Sequence, residues 1–196
     1  MDPFLLNFAP DSIVIKAYLW AKEAHESIGQ LRKYSKLPYI VHPLEVARIL
    51  WEHGERDEKV LAAAMLHDVI EDVTPKNKAN YNLCHVHDMF GMDVMIMVVD
   101  LTDVYTPEAH PEKNRKERKK LESDRIASIG NPSLRIKFGD YISNTADIGV
   151  NEPGFAREVY LPEKRVTLVK VEKRVQESGD QVLIRLYNTA RSQVEP

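Results

Sequence analysis

Ala62-Ala63-Ala64-Met65-Leu66-His67-Asp68-Val69-Ile70-Glu71-Asp72 is the stretch on which this chain turns. A small, apolar, helix-favouring run leads into four polar groups that a solvent-facing helix would not need in that order. At about 100° per residue, His67 and Glu71 share one line of a helix, and Asp68 and Asp72 share the next. Imidazole and carboxylate stacked one turn apart can bind a divalent cation and set a second carboxylate beside a reacting water. The plainer reading is a helix end with acidic residues ahead of the breaker Thr74-Pro75. A His-Asp pair alone favours that plainer reading, because short motifs recur by chance.

Other stretches change the balance. Upstream stands Pro38-Tyr39-Ile40-Val41-His42-Pro43-Leu44-Glu45, and downstream Lys137-Phe138-Gly139-Asp140-Tyr141-Ile142-Ser143-Asn144. His42, then His67-Asp68, then a distant Asp140 resembles the H…HD…D pattern of the HD metal-dependent phosphohydrolases. The finer wording is similar to the hydrolase domain of Rel/SpoT proteins and to the small alarmone hydrolases. It rests on Arg32-Lys33, Pro38-Tyr39-Ile40, His42-Pro43-Leu44, His67 to Asp72, Phe90-Gly91, Leu101-Thr102-Asp103 and Asp140 with Asn144. The resemblance covers roughly residues 14–170, and several motifs in order make it specific.

Composition bounds the rest. A chain of 196 residues reads most simply as one domain. The expected layout is an arm over residues 1–10 and an all-α, HD-type helical bundle over 11–196. With 43% hydrophobic residues it can bury a core, and 29% charged residues of both signs suit a soluble surface. The net charge of -3 gives no footprint for non-specific nucleic-acid binding. No apolar run approaches the ~18 residues of a membrane span, and no signal-peptide pattern opens the chain. Cys84 is the only cysteine, which rules out an internal disulfide and fits a reducing cytoplasm. A homo-oligomer is left open.

Pro3 and Pro10 oppose regular structure in the first ten residues. Asp11-Ser12 offers caps to an amphipathic helix from Ile13 that closes near Gly29. His42-Pro43 reads as an N-cap followed by proline at the first helical position of a helix ending at Gly54. Asp57 can cap the helix that climbs to the motif. Val73 to Asn82 reads as a polar connector without core residues. Leu83 to Met89 and Met92 to Leu101 are expected as helices, with the methionines of the second as core filler. The run from Glu112 to Glu122 reads as a mixed-charge helix, solvated along much of its length. Pro132 opens the helix that carries Asp140 and Asn144 on one face, Pro162 opens another, and Asp180 precedes a last amphipathic helix.

Two imidazoles and two carboxylates suit Mn²⁺, Fe²⁺ or Zn²⁺ better than an all-oxygen Mg²⁺ site. The resemblance implies His42, His67, Asp68 and Asp140 as the ligands, and Mn²⁺ is the expected ion. Taken singly, His42 could cap a helix, and Asp140 could pair with Arg135 or Lys137. Glu71 is placed to orient the attacking water or take its proton, with Asp72 assisting, and the resemblance implies the same catalytic pair. It further implies Arg32, Lys33, Asn144 and Arg165 as substrate contacts. The implied substrate is a guanosine or adenosine tetra- or pentaphosphate, an alarmone of the stringent response, cut at its 3′-pyrophosphate. The chain departs from the family pattern where Val104-Tyr105 follows Asp103 in place of a lysine, and where Val169 replaces an aromatic. Tyr105, Tyr160 or Arg165 are then the candidates to flank the base. Another HD-type nucleotide phosphohydrolase, or a non-catalytic nucleotide-binding module, are the alternatives.

Overall fold

Ser12 accepts a hydrogen bond from the Ile15 N–H at 3.3 Å and so starts α1 (Ile13–Ser27) where the capping pattern places it. The computed structural model describes residues 2–195. The chain divides into two compact units, one ending at Thr102 and one beginning at Asp103. Among the described residues the regular structure is helical, with one isolated bridge between Leu31 and Pro38. No described helix is long and apolar enough to cross a membrane.

The first unit is built on α3 (Glu58–Leu66), capped by the Asp57 side chain accepting from the Lys59 N–H. Every residue from Val60 to Leu66 is buried. A helix apolar on all sides must be surrounded, and here α1, α2 (Val41–Glu52) and a later helix, α6 below, pack around it. The alanines let neighbours approach closely, and α1 presents Ala17, Ala21 and Ala24 among its own buried residues. Gly54, at φ 98°, turns the chain out of α2 in a conformation other residues avoid.

The regular helix ends at Leu66. His67 and Asp68 form a turn, and residues Val69–Val73 follow as one widened π turn, in which the Thr74 N–H reaches back five residues to the Val69 carbonyl. The Asp72 N–H still bonds the Asp68 carbonyl at 2.9 Å, the four-residue link of an ordinary helical turn, so Asp68 and Asp72 remain one turn apart as expected, while the widened turn begins at Val69. The reading of His42 is corrected. The residue capping α2 is Ile40, and His42 lies inside the first turn, with its N–H bonded to the Tyr39 carbonyl at 3.0 Å. Proline at position 43 is tolerated because first-turn N–H groups need no helical partner.

Two further expectations change. The arm is not irregular throughout: Pro3–Asn7 make a short 3₁₀ turn capped by Asp2, with Phe4 and Leu5 buried. Phe4, Phe8 and Trp51 meet edge to face at 5.2–6.0 Å, and Arg48 pairs with Asp2. Proline begins this turn because it is favoured at a first helical position. Phe4→Ala should therefore cost about 3 kcal/mol, read as a lower urea midpoint; an unchanged midpoint would show the segment adds nothing. The connector is also not free of core. Val73 and Tyr81 are buried, and Tyr81 packs on Trp20 at 5.1 Å. After α4 (Thr74–Asn77) come α5 (Leu83–Phe90) and α6 (Met92–Leu101), separated by Gly91 at φ 86°. Of the α6 methionines, Met97 is core while Met92 is exposed.

In the second unit α7 (Arg115–Ile126) starts at a capping box of Asn114 and Glu117; its charged run is solvated along much of its length, as expected, and its last turns bury Glu122, Ser123 and Ile126. Then follow α8 (Asn131–Asn151), α9 (Pro153–Phe155), a π turn at Ala156–Tyr160, α10 (Leu161–Glu177) and α11 (Gln181–Val194). α8 packs on α11, and α10 on α7 and α11. Arg174 binds the Ala127 and Ile129 carbonyls at 3.0 and 2.6 Å, fastening α10 to the end of α7.

Candidate functional site

In the first unit the two histidines converge on one carboxylate. Asp68 Oδ2 lies 3.7 Å from His42 Nε2, and Asp68 Oδ1 lies 3.2 Å from His67 Nε2. The two rings stand 5.3 Å apart, and both are buried. The break after α3 produces this arrangement. His67 lies just beyond Leu66, where its Nδ1–H donates to the Ala64 carbonyl at 2.8 Å. That bond leaves Nε2 as the nitrogen with the lone pair, the tautomer a cation requires. The Tyr39 hydroxyl donates to Asp68 Oδ2 at 2.8 Å and orients the carboxylate.

Glu71 and Asp72 are half-buried in the π turn. The Gln30 amide donates to Asp72 Oδ2 at 2.7 Å, and Gln30 Oε1 meets His25 Nδ1 at 2.8 Å. Burial, and then the Asp68 carboxylate, push the Asp72 carboxyl above its usual range, while the Gln30 bond pulls the other way. Burial likewise lowers the pKa of His25. Its imidazole, which burial holds toward the neutral form, lies 4.6 Å from the Tyr39 ring. His25, Gln30 and Tyr39 thus form a buried backing to both aspartates, which the sequence reading passed over. One signal was available: His25 falls on the apolar line of α1 beside Ala21 and Ala24, where a polar group needs a partner.

Arg32 and Lys33 lie in a tight loop between α1 and α2. It is closed by the Arg32 N–H to the Leu37 carbonyl at 2.9 Å and turned at Lys36, φ 58°. Arg32 is half-buried and Lys33 exposed, its ammonium 3.1 Å from the Tyr34 hydroxyl.

In the second unit α8 carries Asp140, which is buried, and Asn144 one turn on, whose amide donates to Asp140 Oδ1. Lys137 lies 3.3 Å from Asp140 Oδ2, while Arg135 is taken by Asp180 at 3.0 Å. Arg165 is exposed and donates to the Val194 carbonyl at 2.6 Å, at the end of α11. Of the residues expected to flank the base, Tyr160 is buried with the Lys164 ammonium 4.8 Å from its ring centre, and Tyr105 stacks on His110 at 5.0 Å. The structure therefore groups His42, His67 and Asp68 in one unit, and Asp140 with Asn144 in the other.

Comparison with known proteins places this geometry in context. The profile of the HD domain family matches residues 17–127. The chain is 34% identical over 139 residues to the guanosine-3′,5′-bis(diphosphate) 3′-pyrophosphohydrolase MESH1 of Xenopus tropicalis, covering 70% of each chain. It is 37% identical over 103 residues to a GTP pyrophosphokinase of Myxococcus xanthus, a match that takes in 51% of this chain but 12% of that protein. A solved structure described as a metazoan ortholog of SpoT that hydrolyzes ppGpp superposes with a TM-score of 0.73 at 26% identity, over 95% of this chain and 98% of the other.

Proposed function

The chain belongs to the HD domain family, and from that premise we propose that it hydrolyses the 3′-pyrophosphate of a guanosine tetra- or pentaphosphate. The products are GDP or GTP and pyrophosphate. The observation that carries this reading is the pair of buried imidazoles whose Nε2 atoms face one carboxylate at 3.7 and 3.2 Å. HD proteins depend on a divalent metal, and this donor set fits one, because the His67 tautomer is fixed from behind and the Asp68 carboxylate is held by Tyr39. His42, His67 and Asp68 would hold it together with Asp140, and Mn²⁺ suits the mixture of nitrogen and oxygen donors. When bound, the ion supplies Lewis-acid charge that polarises a phosphoryl oxygen and acidifies water.

The residues of this chain do the rest. Glu71 orients the attacking water and takes its proton as the water oxygen bonds to the phosphorus carried on O3′. The P–O3′ bond breaks as that bond forms. Asp72, whose carboxyl holds a proton more readily than an ordinary aspartate, delivers one to the departing 3′-oxygen. Arg32 and Lys33 bind phosphate oxygens, for which a guanidinium offers a bidentate fork. Asn144 keeps its place beside Asp140 for a ribose or phosphate contact. Arg165 is the weakest of the implied contacts, since its guanidinium is engaged at the end of α11. We assign residues 11–196 to one hydrolase domain acting in the cytoplasm during the stringent response.

The test is to incubate the purified protein and Mn²⁺ with guanosine and adenosine alarmones and with nucleoside triphosphates. Pyrophosphate and GDP or GTP are expected from the guanosine alarmones. Phosphate release from triphosphates without alarmone turnover would overturn the assignment. A second expectation concerns Tyr39→Phe, which removes the hydroxyl from Asp68 and leaves the ring against His25. Metal affinity should fall by about 10–100-fold, as for other outer partners of ligands, and calorimetric Mn²⁺ titration reads it. Affinity equal to wild type would remove Tyr39 from the site.

A further inference from the structure

Lys164 is half-buried, and among the described residues no carboxylate is in ion-pair contact with its ammonium. It stands 4.7 and 4.8 Å from the ring centres of Tyr141 and Tyr160 and lines a cavity of ≈ 50 Å³ in the second unit. Lys119, from α7, and Lys137, from α8, line the same cavity, with Asp103 and Thr167. We propose that this cavity is a binding site for a tetrahedral oxyanion of the phosphate class, held by Lys119, Lys137 and Lys164.

Size and charge both point there. One water needs about 10–15 Å³ on this measure, so the space holds a few such atoms, the bulk of one phosphoryl group. The groups facing it from every side are few. Lys119 pairs with Asp103 at 2.8 Å, and Lys137 with Asp140 at 3.3 Å. Glu122 on α7 is bound by Arg125, and Glu163 on α10 by Arg115 at 2.9 Å. Three ammoniums therefore share Asp103 and Asp140, and the proposed metal draws on Asp140 as well. An unpaired charge in such a place is costly unless something compensates it. Burial, and then the charge of Lys137, lower the Lys164 pKa to about 8. An oxyanion reverses that balance, and the Thr167 hydroxyl, which bonds Ser123 at 3.0 Å, adds a polar wall. The anion is either a phosphate group of the nucleotide or free phosphate.

The experiment labels the Mn²⁺-loaded wild-type protein with acetic anhydride in chloride and in inorganic phosphate at matched ionic strength, and reads each lysine by mass spectrometry. Phosphate should slow acetylation of Lys164 about tenfold, saturably, and leave exposed Lys173 on the same helix unchanged. An unaltered Lys164 rate would overturn the proposal. In parallel, ³¹P NMR titration should show the affinity for phosphate reduced at least tenfold by Lys164→Met and retained by Lys173→Met; equal affinity in all three proteins overturns it. Neither measurement needs turnover, so the outcome stands apart from the hydrolase reading. Inhibition by phosphate that is lost in Lys164→Met separates the two sources. A raised KM at constant kcat identifies the nucleotide's own phosphate, and a lowered kcat at constant KM identifies the free anion.

Discussion

Glu71→Gln should retain its metal and lose about 10²–10⁴-fold in turnover, the usual worth of a positioned acid or base. The amide keeps the volume and polarity of the side chain but cannot take a proton from water. Glu71 is not among the proposed ligands, so metal content should stay at the wild-type level. Metal analysis beside kcat for the guanosine alarmone makes the distinction. If the variant turns over like wild type, Glu71 is not the proton acceptor. If it loses metal, Glu71 belongs with the ligands instead.

His67→Ala should lose metal and activity together. The imidazole is tied through both nitrogens, Nδ1 to the Ala64 carbonyl at 2.8 Å and Nε2 toward Asp68 at 3.2 Å. Alanine removes both, and the loss should exceed the ~10–100-fold expected for an outer partner such as Tyr39. The fold should survive, because His67 follows the buried span of α3 and contributes no part of its apolar surface. Mn²⁺ titration with a circular dichroism control reads both halves. A folded His67→Ala that binds Mn²⁺ with wild-type affinity would remove His67 from the ligand set.

Much of the fold was legible because its signals are local. Ser12, Asp57 and Asp180 cap the helices they precede, and the uninterrupted burial of Val60 to Leu66 follows from a run without polar residues. Where the reading failed, the deciding forces were not local. Pro3 opens a helical turn because Phe4 has Phe8 and Trp51 to pack on, and Tyr81 joins the core because Trp20 meets it. The site divides the same way. His42, His67 and Asp68 stand out by type and order, whereas Gln30 and His25 matter through hydrogen bonds to Asp72 and to each other that span 42 and 5 positions. No pattern along the chain announces a glutamine that backs a carboxylate. Lys164 was hidden for a related reason: beside Arg165 it reads as half of an exposed basic pair, and only the fold shows which of the two faces inward.

The widened turn after α3 bears on how this chain can vary between lineages. Val69–Val73 close a loop one residue longer than an ordinary helical turn. Losing either Val69 or Ile70 would bring Glu71 one position nearer to Asp68 and rotate it by about 100° relative to that aspartate. Exchanging Val69 or Val73 for another apolar residue leaves that spacing intact. Length in this stretch is thus held more strictly than spelling, and descendants of this sequence should show substitutions between Asp68 and Glu71 but no gaps.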